Sequence, residues 1–248
     1  MAGLEIASPE RDGNCPRCGG RGIILQGDAA VPCDCMAQKQ AEQLLRQTGL
    51  PKAMRACRFA SFRFDYYAGE HLARARKAFE AARGFAAQVL ADPAATGIML
   101  TGEVGTGKSF LAACVANELI DHERRVLFIV VPDLLDQLRA SYDADSGVRE
   151  QDILDVARST PILILDDLGA HNYTEWVCNR LYTILNYRLN EQLPTVVTTN
   201  LTLPEIEEYL GHRAVSRLFQ LCRQFRLTAG KDIRVQLSVE REGRANRP

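Results

Sequence analysis

The sequence lacks the features of an exported or membrane-embedded chain. Its first residues, Met-Ala-Gly-Leu-Glu-Ile, have neither the basic start nor the apolar core of a signal peptide. No apolar run approaches the roughly 18 residues that a membrane-spanning helix needs. We therefore expect a cytoplasmic protein with no membrane partner.

An excess of charge of one sign is also missing. The 30 lysines and arginines are balanced by 31 aspartates and glutamates, which gives a net charge of −1. Such a chain does not present a uniformly basic surface to nucleic acid, so any contact with DNA must be a local patch. The sequence contains no internal repeat or low-complexity tract, and 248 residues fit one α/β domain with a small appendage.

Cysteine, by contrast, is abundant, and four of the eight cysteines are clustered. Cys15 and Cys18 form one pair, and Cys33 and Cys35 form another. Between the pairs lie an apolar run, a Gly-Asp turn and a second run, which predict a hairpin that brings the pairs together. In a cytosolic protein this pattern favours a tetrahedral Zn²⁺ site. Four reduced cysteines without metal, or a redox C-x-x-C, are the alternatives, and no thioredoxin-like pattern surrounds the first pair. Cys57 is a weaker alternative ligand.

A glycine-rich segment follows a short apolar strand in the middle of the chain. Residues 98–109 read Ile-Met-Leu-Thr-Gly-Glu-Val-Gly-Thr-Gly-Lys-Ser and lead into an apolar-periodic helix. In this order of strand, loop and helix the pattern predicts a P-loop, whose N–H groups and lysine bind phosphates and whose serine binds Mg²⁺. A chance glycine-rich turn is the alternative. The predicted nucleotide-binding residues are Gly102, Glu103, Val104, Gly105, Thr106, Gly107, Lys108, Ser109 and Phe110.

Two carboxylates end a second buried strand. The apolar run 162–165 is followed by Asp166 and Asp167, where open α/β sheets place their ligands. This Walker B pattern predicts that Asp166 and Ser109 hold Mg²⁺ and that Asp167 polarises the attacking water. In isolation, the same pattern could be an acidic turn.

Strands and helices alternate from residue 97 onward, which predicts a parallel sheet. The expected strands are 97–101, 126–131, 162–166, 194–199 and 233–237, and the expected helices are 108–121, 132–141, 148–158, 174–191, 204–210 and 212–222. The aromatic residues of the linker 51–70 either pack near the nucleotide base or bind single-stranded nucleic acid together with the neighbouring arginines. The segment 169–174, just after the Walker B strand, is a second candidate for DNA contact through stacking of Tyr173 on a base, and the alternative is a helix entry capped by Thr174.

Together these segments carry a resemblance to a known family. The chain resembles the DnaC/DnaI-like replicative helicase loaders, a branch of the AAA+ ATPases that includes the IstB transposition helpers. The segments that carry the resemblance are the P-loop, Leu-Asp-Asp-Leu-Gly, Val-Val-Thr-Thr-Asn and Leu-Gly-His-Arg-Ala-Val-Ser-Arg-Leu. The cysteine module resembles the zinc-binding N-terminal domain of DnaI-type loaders. The resemblance implies an α/β AAA+ P-loop fold with a five-stranded parallel sheet, without the C-terminal helical lid.

The resemblance also implies roles for three residues beyond the P-loop and Walker B strand. Asn200, which could otherwise cap the next helix, corresponds to the sensor 1 position. Arg213 matches an arginine finger that completes a neighbour's ATP site, and Arg217 a second arginine that senses nucleotide in its own subunit. The spacing of four places both arginines on one helix face, so the two roles are interchangeable between them, and an ordinary basic face is the alternative. A finger acting between subunits implies a homo-oligomer.

The implied organisation is a zinc-binding and helicase-interaction module (1–50), a linker (51–70), an AAA+ ATPase domain (71–240) and a tail (241–248). The implied function is ATP-dependent loading of a replicative, DnaB-like helicase onto single-stranded DNA, with ATP, Mg²⁺ and Zn²⁺ as cofactors. The alternatives are a transposition helper, which the cysteine cluster disfavours, an ATP-switched DNA-binding adaptor with little turnover, and a small-molecule kinase, for which no acceptor-site motif is evident.

Overall fold

The computed structural model describes residues 15–26, 29–47, 49–142, 148–169 and 173–245. The predicted Gly-Asp turn of the hairpin and the end of the predicted tail lie outside these residues. The strands are β1 (Ile23–Gln26), β2 (Ala29–Pro32), β3 (Gly97–Thr101), β4 (Val126–Val130), β5 (Ile162–Leu168), β6 (Thr195–Thr199) and β7 (Cys222–Arg226). The helices are α1 (Asp34–Gln47), α2 (Gly69–Ala91), α3 (Lys108–Asp121), α4 (Val131–Ala140), α5 (Glu150–Ser159), α6 (Glu175–Asn190), α7 (Leu203–Leu221) and α8 (Ile233–Ala245).

Five strands form one parallel sheet in the order β4-β5-β6-β3-β7, which confirms the predicted sheet. Strand β3, which leads into the P-loop, lies between β6 and β7. Because all five strands run in the same direction, the loops at their carboxyl ends meet at one edge of the sheet. The P-loop and the end of β5 therefore come together there.

Both faces of the sheet are buried, as the continuous apolar runs predict. In β3, Met99 faces a core that α4, α5, α6 and α7 cover, whereas Ile98 and Leu100 face a second core formed with α2 and α3. Side chains of a strand alternate between its two faces, so each strand supplies both cores.

The N-terminal hairpin of β1 and β2 is confirmed, and its strands pair antiparallel from Ile23 opposite Pro32 to Gln26 opposite Ala29. The following helix, α1, buries Ala41 and Leu45 in the core that also holds α5 and β4. This helix thus packs directly on the ATPase sheet, and a module boundary at residue 50 stays a prediction.

The prediction for the C-terminal region was wrong in two elements. The last strand is β7, at Cys222–Arg226, not 233–237, and residues 233–245 form α8. Strand β7 pairs with β3 alone, and its middle residues are exposed, so it lacks the apolar run that marks a buried strand. The two helices predicted at 204–210 and 212–222 are the two arms of α7, which kinks at Gly211. Among the described residues, no helix is long and apolar enough to cross a membrane.

Candidate nucleotide site and cysteine cluster

The P-loop places its lysine inside the loop. Lys108, the first residue of α3, is almost fully buried, and its Nζ donates to the carbonyl oxygens of Gly102 and Glu103, each at 2.7 Å. Burial lowers the pKa of Lys108 to about 8, although the carboxylates of Asp167 and Asp166 oppose this shift. An ammonium at a helix N-terminus can bind a phosphate, and the neighbouring carboxylates can bind the Mg²⁺ that accompanies the phosphate.

Two glycines of the loop permit close approach of the C-terminal segment. A Cβ at Gly102 would lie 1.9 Å from the carbonyl oxygen of Leu227, and one at Gly105 would lie 2.1 Å from the carboxylate of Asp232. The amide of Ile233 also donates to the carbonyl of Gly105 at 3.0 Å. The start of α8 therefore lies directly on the P-loop, and at Gly102 the backbone of Leu227 leaves no room for a side chain.

Ser109 and Asp166, the predicted Mg²⁺ ligands, are brought together. Asp166 is buried and accepts hydrogen bonds from Ser109 and from Thr198 on β6, the latter at 2.6 Å. Burial raises the pKa of Asp166, and these hydrogen bonds oppose that shift. A hydroxyl next to a carboxylate offers the hard oxygen ligands that Mg²⁺ prefers, so the residues fit the ion.

Asp167 adopts a backbone conformation that is unusual for a residue other than glycine. Its φ is 60°, its amide donates to Thr198 Oγ1 at 2.9 Å, and its carboxylate accepts from Asn200 Nδ2 at 2.8 Å. A left-handed residue costs free energy that the surrounding hydrogen bonds must offset, and such residues are concentrated at functional sites. Asn200 thus fixes the direction of the carboxylate predicted to polarise water.

The arginines lie in different surroundings. Arg213 is exposed and follows the kink at Gly211, and the side chain of Arg217 donates to Gln220 at 3.4 Å. The arginine whose charge acts on Lys108 is Arg234, in the first turn of α8, and it lowers the pKa of that lysine further. Sequence reasoning missed Arg234 because it placed a strand there.

The linker aromatics pack on the ATPase domain. The ring of Phe62 lies 5.6 Å from that of Tyr67 and 6.0 Å from that of Phe110, and the Tyr67 hydroxyl donates to the carbonyl of Thr106 in the P-loop at 2.8 Å. This packing leaves little ring surface for stacking on bases and places the linker beside the nucleotide site.

Helix α8 is attached to the same linker. The carboxylate of Glu240 accepts from Arg63 and from the hydroxyl of Tyr66, both at 2.9 Å. The P-loop is therefore enclosed by the linker on one side and by α8 on another.

Tyr173 does not present its ring as a free stacking surface. The ring lies 6.0 Å from that of Tyr209 at an angle of 29°, and the hydroxyl oxygen is buried. Thr174 caps α6 by accepting from the amide of Val177, as the alternative for this segment predicted. Residues 170–172 of the proposed DNA-contacting segment lie outside the described residues.

The four clustered cysteines converge at one point. All four Sγ atoms lie within 4.8 Å of one another, with Cys15 and Cys33 separated by 3.8 Å and Cys18 and Cys35 by 3.5 Å. A tetrahedral zinc with Zn–S bonds of about 2.3 Å separates its sulfurs by about 3.8 Å. The cluster therefore fits zinc, whereas Cys57 lies in the core beneath α2 and α3.

Zinc analysis tests this fit directly. We expect about one Zn²⁺ per chain, as one four-thiolate site requires. Cys33→Ser should reduce the zinc content and the hydrogen-exchange protection of residues 15–35, while the ATPase domain stays folded. Cys57→Ser is the control and should leave the zinc content unchanged. Metal-free protein with a protected hairpin would contradict the assignment.

The parallel sheet, the P-loop and the paired carboxylates of β5 define a P-loop ATPase of the AAA+ class. Within that class, the chain belongs to the IstB-like ATP-binding protein family, whose profile matches residues 36–223. The match begins after the cysteine cluster, which is therefore not part of the region that defines the family.

Relatives and solved structures agree with this assignment. The replicative helicase loader DnaI of Bacillus subtilis is 34% identical over 117 residues, which are 47% of this chain but only 37% of that protein. The replicative helicase loader DnaC of Escherichia coli strain K12 is 25% identical over 77% of this chain and 74% of its own length. A crystal structure of DnaI matches with a TM-score of 0.58 and 26% identity, over 73% of this chain and 93% of that one.

Proposed function

We propose that the protein is an ATP-dependent loader of a replicative DNA helicase onto single-stranded DNA. The observation that carries the proposal is the hydrolytic site, in which Asn200 holds the carboxylate of Asp167 beside Asp166 and Ser109. The relatives that share this fold and region are helicase loaders by name. A pure nucleotide switch would not need a second, oriented carboxylate.

The residues of the site divide the reaction between them. Lys108 and the P-loop amides would bind the phosphates of ATP, and Ser109 and Asp166 would hold Mg²⁺. Asp167 would accept a hydrogen bond from the attacking water. The hydrogen bond between Asp167 and Asn200 would fix the direction from which that water attacks. Arg213, exposed on α7, would stabilise the charge that develops on the γ-phosphate of a neighbouring subunit.

One substitution isolates the role of Asp167. Asp167→Asn should preserve ATP binding but lower the rate of hydrolysis by about 100-fold or more, because a general base typically contributes 10²–10⁴-fold. Turnover assays with matched nucleotide titrations measure both quantities. Turnover that is unchanged in the Asp167 variant would remove this residue from the mechanism.

Mixing of subunits tests the role of Arg213. Arg213→Ala chains should bind ATP normally but lose hydrolysis. Addition of Lys108→Ala chains should restore hydrolysis, because these chains supply an intact Arg213 to the ATP sites of the Arg213→Ala chains. Mixed oligomers that form but show no recovery would exclude action between subunits.

A helicase partner is tested by co-purification with the replicative helicase of the same organism. We expect a complex that depends on the cysteine module, so Cys33→Ser should weaken it while ATP binding remains. The competing function is that of a transposition helper, which the name of the family favours. Binding to a transposase, with none to the helicase, would support that function instead.

The proposed contact for single-stranded DNA is an aromatic pair at the surface, in which Tyr142 is exposed and Trp176 is half-buried. Trp176 donates through Nε1 to the hydroxyl of Tyr142 at 2.8 Å, and the rings are 6.1 Å apart. The guanidinium carbons of Arg139 and Arg180 lie 6.0 and 5.7 Å from the centre of the Trp176 ring. Aromatic rings surrounded by arginines are typical of surfaces that stack bases and bind phosphates.

Trp176→Ala should therefore weaken single-strand binding by about 1–3 kcal/mol, the usual contribution of one stacked base. Anisotropy titrations at fixed salt measure the loss. Quenching of the single tryptophan of the wild type on addition of DNA gives an independent signal. An unchanged affinity with no quenching would place the DNA elsewhere.

A further inference from the structure

A basic groove lies between helix α1 and the linker, away from the nucleotide site. It has a volume of about 540 Å³, and its lining side chains are all polar or charged: Lys39, Glu42, Gln43, Arg46 and Arg55. Neither the ATPase mechanism nor the cysteine cluster uses these residues.

The cations of this groove exceed its carboxylates. Glu42 accepts from Arg46 at 2.9 Å and from Arg125 at 3.1 Å, and these hydrogen bonds hold the pKa of Glu42 below its usual value although burial raises it. Within the part of the chain that the structure describes, no hydrogen bond or ion pair engages the side chains of Lys39 and Arg55. The lining thus carries three cations and one carboxylate, and that carboxylate already pairs with Arg46 and Arg125, in a protein whose net charge is −1.

The groove is built on rigid elements. The linker turn that carries Arg55 is fixed by Asn117, a buried residue of α3, whose Nδ2 donates to the carbonyls of Met54 and Cys57, both at 2.9 Å. On the other wall, α1 is anchored by the fully buried Leu45. A pre-formed arrangement of charges loses little conformational entropy on binding a ligand.

The groove and the ATP site lie at opposite edges of the sheet. Arg125 directly precedes β4, at the amino end of the strand, whereas Asp166 and Asp167 lie near the carboxyl end of β5. Helix α3 connects the two edges, with Lys108 at its start and Asn117 in its third turn. A ligand of the groove would therefore leave the nucleotide site free.

We propose that this groove binds the phosphodiester backbone of nucleic acid. Arginine and lysine side chains bind phosphates without any apolar anchor, and guanidinium groups do so with two parallel hydrogen bonds. A protein partner is disfavoured because the centres of protein interfaces are depleted of charged residues and use aromatic or aliphatic anchors, which this groove lacks. The contact is separate from the aromatic pair of Tyr142 and Trp176, which would hold bases.

The test is the double variant Lys39→Glu with Arg55→Glu, two side chains for which the described residues provide no hydrogen-bond or ion-pair partner. Removal of two phosphate contacts should reduce the slope of log affinity against log salt by about 1.4 for single strands and about 1.8 for duplex DNA. Anisotropy titrations with a homopolymer strand and with a duplex, between roughly 50 and 200 mM salt, give both slopes. Lys39→Gln with Arg55→Gln should also reduce the salt slope, but with a smaller loss of DNA affinity than the glutamate variant.

The matched control is Lys77→Glu with Arg83→Glu, two exposed residues of α2 with the same change of charge. An equal effect of the control variant, or an unchanged slope in the groove variant, would overturn the proposal. Loss of binding to poly-glutamate with DNA binding intact would also overturn it and would indicate an acidic protein segment. Basal ATP turnover and the quenching of Trp176 at saturating DNA should survive in the groove variant, so the outcome is independent of the ATPase site and of the aromatic pair.

Discussion

Replacement of Lys108 with alanine is expected to weaken ATP binding by roughly 10–150-fold, because a charge-assisted hydrogen bond contributes about 1.5–3 kcal/mol. The substitution also leaves the carbonyls of Gly102 and Glu103 without their buried donor. Isothermal titration or a fluorescent ATP analogue measures the loss. Lys77→Ala, on the exposed side of α2, is the control. An affinity within twofold of the wild type would show that Lys108 does not bind the phosphates.

The same lysine predicts a pH dependence of ATP binding. Burial places the pKa of free Lys108 at about 8, and the bound phosphates raise it. Affinity should therefore be nearly constant below pH 7 and fall above pH 8, because binding then requires uptake of a proton. Lys108→Ala should lose this dependence, which separates the lysine from other groups that titrate.

Replacement of Arg188 with methionine is expected to lower the free energy of unfolding by about 3–5 kcal/mol. Arg188 is fully buried on α6, and among the described residues its partners are neutral. Its guanidinium donates to Thr195 Oγ1 and to carbonyls at the ends of α5, β5 and β6, those of Arg158, Thr160, Pro161 and Pro194. Each buried carbonyl left without a donor costs about 1–3 kcal/mol, less where water can enter.

Urea denaturation measures this effect. Arg188→Lys retains the charge but has fewer hydrogen-bond donors than the guanidinium group. The decrease in the free energy of unfolding should therefore be intermediate for this variant. Arg83→Met, on the exposed face of α2, should change stability by less than about 0.5 kcal/mol. A loss below 1 kcal/mol at Arg188 would mean that the strand ends do not depend on its hydrogen bonds.

The parts of the site that lie within one short segment could be predicted from the sequence. The P-loop residues follow one apolar strand at fixed spacing, and the Asp166–Asp167 pair follows another. Within each motif the local backbone places the functional groups, so no distant residue is needed to recognise it. The buried strands of the sheet could be predicted equally well, because strands buried on both faces are continuous apolar runs in the sequence.

Residues brought to the site by tertiary packing could not be predicted in this way. Strand β7 is an edge strand with mainly exposed residues, so the sequence predicts no strand at 222–226, and the strand predicted at 233–237 instead includes Arg234. Arg188 looks like a surface residue in its local sequence, since nothing near it shows that five partners converge on it. The roles of Arg213 and Arg217 stay predictions, because they depend on a second copy of the chain.

The position of β3 in the sheet has a consequence for the order of folding. Its two neighbours begin much later in the chain, β6 at Thr195 and β7 at Cys222, whereas β3 begins at Gly97. Such distant pairing is slow, because a long loop must close before any contact forms. On the ribosome, the P-loop strand emerges early but stays unpaired until both partners have been synthesised. ATP therefore cannot assist the early folding of the nascent chain, and a fragment that ends before residue 222 should lack a stable nucleotide site.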